Sequence, residues 1–98
     1  MKTITLSQAA DADLEDIFDY TFEKYGLDQA VSYVSGFDDV FKIISGNPNT
    51  GRKRNEVREG LLSFVKEQHI IFYRNLDDCI RIVRILHGSR DLPKFLDQ

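Results

Sequence analysis

Cysteine and histidine are scarce in this sequence, and their scarcity excludes several classes of protein. The single cysteine, Cys79, cannot form an intrachain disulfide, which excludes the disulfide-stapled scaffolds of small secreted domains. The two histidines, His69 and His87, do not stand at metal-ligand spacing, so we expect no metal site. No apolar run approaches the roughly 18 residues of a membrane span, and no signal-peptide segment is recognisable. We therefore expect a cytoplasmic protein without contact to a membrane.

Basic residues are few in the first half of the chain and concentrated in the second. Residues 1–50 contain three lysines and nine acidic residues, a net charge of −6. Residues 51–98 contain ten basic and seven acidic residues, a net charge of +3, which gives −3 for the whole chain. Such a chain lacks the broadly basic surface that binding to bulk nucleic acid requires. The basic half can still form a local anion-facing surface.

Apolar periodicity predicts one domain, 1–98, with the element order β-α-α-β-β-β. This order is typical of an α+β fold, in which an N-terminal helical hairpin packs as a second layer on one mostly antiparallel sheet. A short extra strand near Glu56–Arg58 and a helical turn at Leu92–Leu96 complete the prediction. Gly36, inside the second helix, would allow another element to approach closely. The predicted elements are a strand at Lys2–Ser7 with Ser7 as N-cap, a helix at Gln8–Tyr25 ending at Gly26, a helix from Leu27 to Gly46–Asn47–Pro48, and strands at Leu61–Val65, His69–Asn75 and Cys79–Leu86.

His87, Ser89 and Asp91 lie close together in sequence and raise the question of a catalytic triad. In an extended chain, side chains on one face are roughly 6.5 Å apart, too far for a hydrogen-bonded proton relay. We interpret the segment as a polar turn after the last strand. His87 would then fasten the strand end by binding a backbone carbonyl or Asp91, and would not act as a general acid or base.

Arginine dominates the basic residues of the second half, with seven arginines against three lysines. Its planar guanidinium binds phosphate and carboxylate groups through two parallel hydrogen bonds. A metal-independent ribonuclease would combine such arginines with an acid or base, and His87 and Tyr73 are the candidates. The alternative is that Arg81 and Arg84 lie on a solvated or ion-paired side of the sheet.

Short motifs follow one another along nearly the whole chain. Ser7 at the end of a strand precedes Ala10-x-x-Asp13-Leu14-x-x-Ile17, and the most specific block is Ile80-x-Ile82-x-Arg84-Ile85-Leu86-His87-Gly88-Ser89-Arg90-Asp91. Between them lie Tyr25-Gly26 with Gln29-Ala30, Asn47-Pro48-x-x-Gly51, Arg58-x-Gly60, and Phe64 with His69-x-Ile71-x-Tyr73. This ordered set resembles the ParE branch of the RelE/ParE toxin superfamily, in length and in element order as well.

The resemblance implies the toxin of a type II toxin–antitoxin pair. ParE-like toxins poison DNA gyrase without enzymatic activity, and a ParD-like antitoxin neutralises them; no cofactor, metal or catalytic residue is carried over. RelE-like relatives are instead ribosome-dependent mRNA endoribonucleases, and this remains the alternative, although those nucleases are usually strongly basic. We expect the gyrase–DNA complex to contact the basic residues Arg52, Lys53, Arg54, Arg58, Arg81, Arg84 and Arg90.

The helical hairpin is the predicted antitoxin surface. It has bulky apolar residues on more than one face, and a domain of this size has limited capacity to bury all of them. An antitoxin segment that folds on binding would cover the hairpin groove as a helix and could add a strand to an open sheet edge. The residues expected to contact the antitoxin are Phe18, Phe22, Tyr33 and Phe37.

Overall fold

The computed structural model describes residues 1–89, and it confirms the predicted α+β architecture of a helical hairpin on one sheet. Arg90 and the turn predicted at Leu92–Leu96 lie outside the described residues. Both helices have the predicted limits, and the strands differ from prediction by one residue at some ends. The elements are β1 (Thr3–Leu6), α1 (Gln8–Tyr25), α2 (Leu27–Gly46), β2 (Arg52–Lys53), β3 (Leu61–Lys66), β4 (His69–Asn75) and β5 (Cys79–His87).

The sheet has the strand order β1-β5-β4-β3-β2, so β1 and β2 are its edges. β1 pairs with β5 in parallel, and every other pair is antiparallel. The extra strand is Arg52–Lys53, so its prediction near Glu56–Arg58 is wrong. Residues 54–60 instead close into turns, because Val57 N–H donates to the Arg54 carbonyl and Gly60 N–H donates to the side chain of Asn55.

Two residues fix the ends of α1. Ser7 is the N-cap, as predicted, and its hydroxyl accepts a hydrogen bond of 2.9 Å from Ala10 N–H. Gly26 has a φ of 93°, a conformation that favours glycine, and its N–H donates to the Phe22 carbonyl at 2.9 Å. The chain reverses at this single residue, which joins α1 and α2 into the antiparallel hairpin.

Buried side chains lie on both faces of the sheet. The larger cluster lies between the sheet and the helices and includes Phe37, Ile44 and Ile82, each fully buried. A smaller cluster on the opposite face is built from Leu61, Phe72 and Leu86. The inner strand β5 contributes to both clusters, which explains why its sequence is apolar on both faces.

A β-bulge in β5 changes which side chains face the helices. Phe72 is opposite Arg84 and Tyr73 is opposite Ile82, so Val83 is an extra residue without a partner on β4. The alternation shifts there by one position, and Ile85 rather than Leu86 joins the cluster beneath the helices. The bulge therefore directs the C-terminal end of β5, including His87, towards the hairpin.

The N-cap Ser7 and Asp13 of α1 bind backbone groups of β5 at and beside the bulge. The Ser7 hydroxyl donates to the Val83 carbonyl at 2.7 Å, and Ile85 N–H donates to Asp13 Oδ2 at 2.9 Å. Asp13 also accepts two hydrogen bonds from Arg84, from Nε at 2.8 Å and from Nη2 at 3.0 Å. These contacts fasten the start of α1 to the irregular part of β5.

Candidate functional site

A cleft of about 820 Å³ lies between the helical hairpin and the C-terminal end of the sheet. Its sheet side includes His69, His87 and Ser89, and its helix side includes Tyr33. The Asp13–Arg84 ion pair lies on its wall. We refer to this feature as the histidine cleft.

The two histidines face each other across neighbouring strands. His69 on β4 is opposite His87 on β5, and Gly88 N–H donates to the Gln68 carbonyl at 2.9 Å. This bond identifies the two histidines as a non-hydrogen-bonded pair, the kind in which side chains approach most closely. Their ring centroids are 5.5 Å apart with planes at 84°. The sequence does not reveal this pairing, because it depends on the register of β4 against β5.

Each histidine is held by a hydroxyl group. Tyr33 Oη lies 2.7 Å from His69 Nδ1, and Ser89 Oγ lies 2.7 Å from His87 Nδ1. Burial lowers the pKa of His69, and the neighbouring His87 and Lys66 lower it further. Burial raises the pKa of Tyr33, with a further contribution from Glu67, so this phenol keeps its proton at neutral pH.

The cations nearest the histidines already have partners. Arg84 is paired with Asp13, with side chains only 18% and 12% exposed, and hydrogen bonding to Asp13 raises the pKa of Arg84. Lys66 Nζ lies 4.4 Å from the ring centroid of Tyr33 and 5.0 Å from that of Phe37. Chemically, the histidine cleft therefore offers hydrogen-bond donors and acceptors more than a ready clamp for phosphate.

The contact between His87 and Ser89 corrects the distance expected for an extended chain. The chain turns at Gly88, so Ser89 N–H also donates to His87 Nδ1, at 3.2 Å. Asp91 lies outside the described residues. Within residues 1–89, the hydrogen bonds of the His87 ring are to Ser89 at the strand end, and none is to a backbone carbonyl, the first of the two partners expected for it.

Tyr73 is buried, which contradicts its candidacy as the acid or base of the ribonuclease alternative. Its side chain is fully buried, and burial raises the pKa of its phenol. The hydroxyl donates to the Pro48 carbonyl at 2.9 Å and accepts from Gly51 N–H at 2.9 Å. Tyr73 therefore anchors the loop that leads into β2 and has no access to a substrate.

The predicted target-binding residues are distributed over separate parts of the surface. Arg52 and Lys53 are exposed on the edge strand β2, and Arg58 is exposed in the turns that follow. Arg54 does not belong with them, because its side chain lies 5.8 Å from the Phe72 ring centroid and pairs with Glu56.

The basic residues of β5 are distant from β2. Two strands separate β2 from β5, which corresponds to roughly 14 Å across the sheet. Arg81 is exposed, whereas Arg84 is turned by the bulge to Asp13, which matches the ion-paired alternative considered for it. Arg90 lies outside the described residues. The six predicted residues that the structure describes thus do not form one continuous surface.

The predicted antitoxin residues also have different environments. Phe22 is 47% exposed and stacks on the half-buried Phe18, with ring centroids 6.2 Å apart. Tyr33 is half-buried at the histidine cleft. Phe37 is fully buried, and its prediction as an accessible contact is wrong because its side of α2 faces the sheet.

Within residues 1–89, neither helix combines the length and the apolar character needed to cross a bilayer. The same part of the chain has no group of three or more histidine, cysteine or acidic side chains placed to hold a metal ion.

Comparison with known proteins gives matches along nearly the full chain. Residues 4–92 match the family model described as the ParE toxin of the type II toxin–antitoxin system parDE. The chain is 36% identical over 92 residues to Toxin ParE1 of Mycobacterium tuberculosis, covering 93% of this chain and 94% of that protein. It is 33% identical over 89 residues to Toxin ParE1 of Caulobacter vibrioides, covering 91% and 92%.

The fold is also similar to a solved structure. A chain from the chromosomal ParDE toxin–antitoxin system of P. aeruginosa superposes with a TM-score of 0.77 at 24% sequence identity. The match covers 89% of this chain and 96% of that chain. At this identity the likeness establishes the common fold.

Proposed function

Because this chain belongs to the ParE toxin family of type II toxin–antitoxin systems, we propose that it inhibits DNA gyrase in the cytoplasm and is neutralised by a ParD-like antitoxin. The observation that carries the proposal is the family match over residues 4–92, which includes all of the fold except the first residue of β1. The toxin is then a binding protein, whose effect depends on the surfaces that it presents to gyrase and to its antitoxin.

The state of the histidine cleft supports a non-enzymatic mechanism. An mRNA endoribonuclease needs a cation to stabilise the charge that develops on the phosphate, together with an acid and a base. Arg84 and Lys66 are engaged with Asp13 and with aromatic rings, and Tyr73 is buried. The His69–His87 pair is the feature that keeps ribonuclease activity as the second candidate.

We assign the contact with the gyrase–DNA complex to the exposed basic residues Arg52, Lys53, Arg58 and Arg81. Arg52 and Lys53 are the sharpest test, because both are exposed on an edge strand, one on each face of the sheet. Reversal of both to glutamate should leave thermal stability nearly unchanged, since exposed charges contribute little. Arg54 should be left intact, because it packs on Phe72.

The decisive experiment measures gyrase supercoiling and cleavage of ribosome-bound mRNA with the same purified toxin. We expect inhibition of supercoiling, restored by the ParD-like antitoxin, and an unchanged effect with H87Q. The R52E/K53E variant should inhibit less, and E59Q, at an exposed acid in the neighbouring turns, is its control. Cleavage of mRNA by the wild type that is lost in H87Q would overturn the proposal in favour of the endoribonuclease.

A further inference from the structure

The two histidines of the histidine cleft are placed as two ligands of one metal ion would be. Their spacing along the chain does not predict a metal site, but the register of β4 against β5 brings His69 and His87 opposite each other. They form a non-hydrogen-bonded pair, in which side chains on neighbouring strands are closest. Neutral imidazole is a preferred ligand of Zn²⁺, Cu²⁺ and Ni²⁺. The fold therefore creates a candidate site for a transition-metal ion.

The separation of the two rings suits a shared ion. Zinc binds imidazole nitrogen at about 2.0–2.1 Å, and this nitrogen lies about 1.1 Å from the centre of its ring, so two histidines on one tetrahedral ion have ring centroids roughly 5 Å apart. The ring centroids of His69 and His87 are 5.5 Å apart. The two strands thus already hold the rings near the distance that a shared ion requires.

The outer nitrogen of each ring, Nε2, is available to an ion. The other nitrogen is occupied, because Nδ1 of His69 lies 2.7 Å from Tyr33 Oη and Nδ1 of His87 lies 2.7 Å from Ser89 Oγ. Neither Nε2 atom has a hydrogen-bond partner within residues 1–89. No buried side-chain nitrogen in this part of the chain lacks a partner, so Nε2 of the half-buried His69 is accessible to solvent.

Two hydroxyl groups are placed to support the metal-binding form of the rings. A metal-bound histidine donates its other ring N–H to an acceptor, and loss of that acceptor typically weakens metal binding by roughly 10–100-fold. Tyr33 Oη and Ser89 Oγ can each accept such a bond, because a hydroxyl accepts as well as donates. At His87, the hydrogen bond that Ser89 N–H donates to Nδ1 at 3.2 Å is given up when Nδ1 takes the proton.

The charges around the pair do not oppose a dication. Lys66 and Arg84 bring positive charge to this part of the cleft, while Glu67 and Asp13 bring negative charge, so the formal charges balance. Burial is the main cause of the lowered pKa of His69, with further contributions from His87 and Lys66. The His69 ring is therefore neutral at neutral pH, which is the form that binds metal.

We propose that His69 and His87 bind a transition-metal dication such as Zn²⁺ through their Nε2 atoms in the histidine cleft. No third histidine, cysteine or acidic side chain of residues 1–89 joins them in a metal-binding group, so water fills the remaining coordination positions. The ion ties the end of β5 to the start of β4 and, through Tyr33, to α2. This inference concerns the toxin alone and does not depend on the proposed function.

Calorimetric titration of the tag-free, full-length protein with Zn²⁺ tests the site. We expect one ion per chain, and H69Q or H87Q alone should weaken binding at least about tenfold, because chelation by two ligands is lost. Y33F keeps both ligands but removes the acceptor at His69 Nδ1, and it should weaken binding about tenfold. The control is C79S, which should leave zinc affinity unchanged because Cys79 lies at the opposite end of β5 from His87.

Measurements on the wild type keep the inference testable if a variant fails to fold. Zn²⁺ should shift the imidazole resonances of both histidines together and should raise Tm, because the ion binds the folded chain. Zinc affinity within about threefold of the wild type in both H69Q and H87Q would overturn the proposal, since a two-ligand site cannot lose a ligand without loss of chelation. A shift of one histidine only, loss of binding in C79S, or no zinc binding by the folded wild type would overturn it as well. An unchanged affinity in Y33F would refute the positioning role of Tyr33.

Discussion

Asp13 is expected to contribute more to stability than any other acidic residue of the hairpin. Its carboxylate accepts three hydrogen bonds, two from Arg84 and one from Ile85 N–H, at 2.8 to 3.0 Å. The side chains of Asp13 and Arg84 are 12% and 18% exposed. This exposure is intermediate between two measured classes of ion pair. An exposed ion pair contributes about 0–1 kcal/mol to stability, whereas removal of one partner from a buried ion pair costs about 3–5 kcal/mol.

We expect Asp13→Ala to lower the free energy of unfolding by about 3 kcal/mol, because it leaves a guanidinium and a backbone N–H without their acceptor. For a domain of this size the loss corresponds to a fall in Tm of about 12–24 °C. Asp13→Asn should cost roughly half as much, since the amide oxygen can still accept one or two of the hydrogen bonds. Denaturant unfolding followed by circular dichroism measures both variants.

The matched control is Asp19→Ala on the same helix, at an exposed position without an ion pair in residues 1–89. It should change stability by less than about 0.5 kcal/mol. The imidazole resonances of His69 and His87 give a second measurement, because Asp13 holds Ile85 next to the bulge that turns His87 into the cleft. A loss below about 1 kcal/mol for Asp13→Ala, with unmoved imidazole resonances, would refute this account.

Three further predictions follow from buried contacts. Tyr73→Phe should cost about 2 kcal/mol, measured by thermal unfolding, because it removes the hydrogen bonds to Pro48 and Gly51; a change below about 0.5 kcal/mol would contradict the anchoring role. Gly36→Ala should stabilise a Lys66→Ala background by about 1 kcal/mol, because alanine favours a helix more than glycine does. In the wild type the same change should be nearly neutral, because a Cβ at Gly36 would meet Lys66 Cε at 2.6 Å and displace that side chain. Equal effects on thermal unfolding in the two backgrounds would contradict this prediction. The lowered pKa of His69 means that, as the pH falls, the unfolded chain takes up a proton at this residue before the folded chain does, so the contribution of His69 to stability is complete above about pH 6.5 and is lost as the pH falls towards the folded-state pKa. H69Q should therefore reduce the pH dependence of the free energy of unfolding in that range. An unchanged pH dependence would refute this prediction.

The helices could be predicted from sequence because several local signals agree. The apolar stripes of α1 and α2 have helical spacing, Ser7 provides a cap, and Gly26 provides the reversal. The space at Gly36 is likewise confirmed, since the Lys66 side chain crosses the helix there. Such signals depend on neighbours within a few residues, and they survive without knowledge of the tertiary structure.

The features that the sequence does not reveal depend on contacts between distant residues. The segment Cys79–His87 is apolar on both faces, so its alternation contains no signal for the extra residue at Val83. The bulge determines that Arg84 binds Asp13 and that His87 meets His69. An apolar stripe does not reveal how much of it the sheet covers, so the sequence does not distinguish the buried Phe37 from an accessible contact residue.

The division of charge along the chain becomes a division between the two layers of the fold. The acidic half ends soon after α2, and the basic half begins at β2, so the hairpin is negative while the exposed arginines belong to the sheet and its loops. Long-range fields of opposite sign attract different partners to the two layers. A gyrase–DNA complex drawn to Arg52 and Lys53, as proposed, would bind more weakly as salt increases. Charge reversal at these two residues should therefore change this association and leave binding of an antitoxin at the hairpin nearly intact.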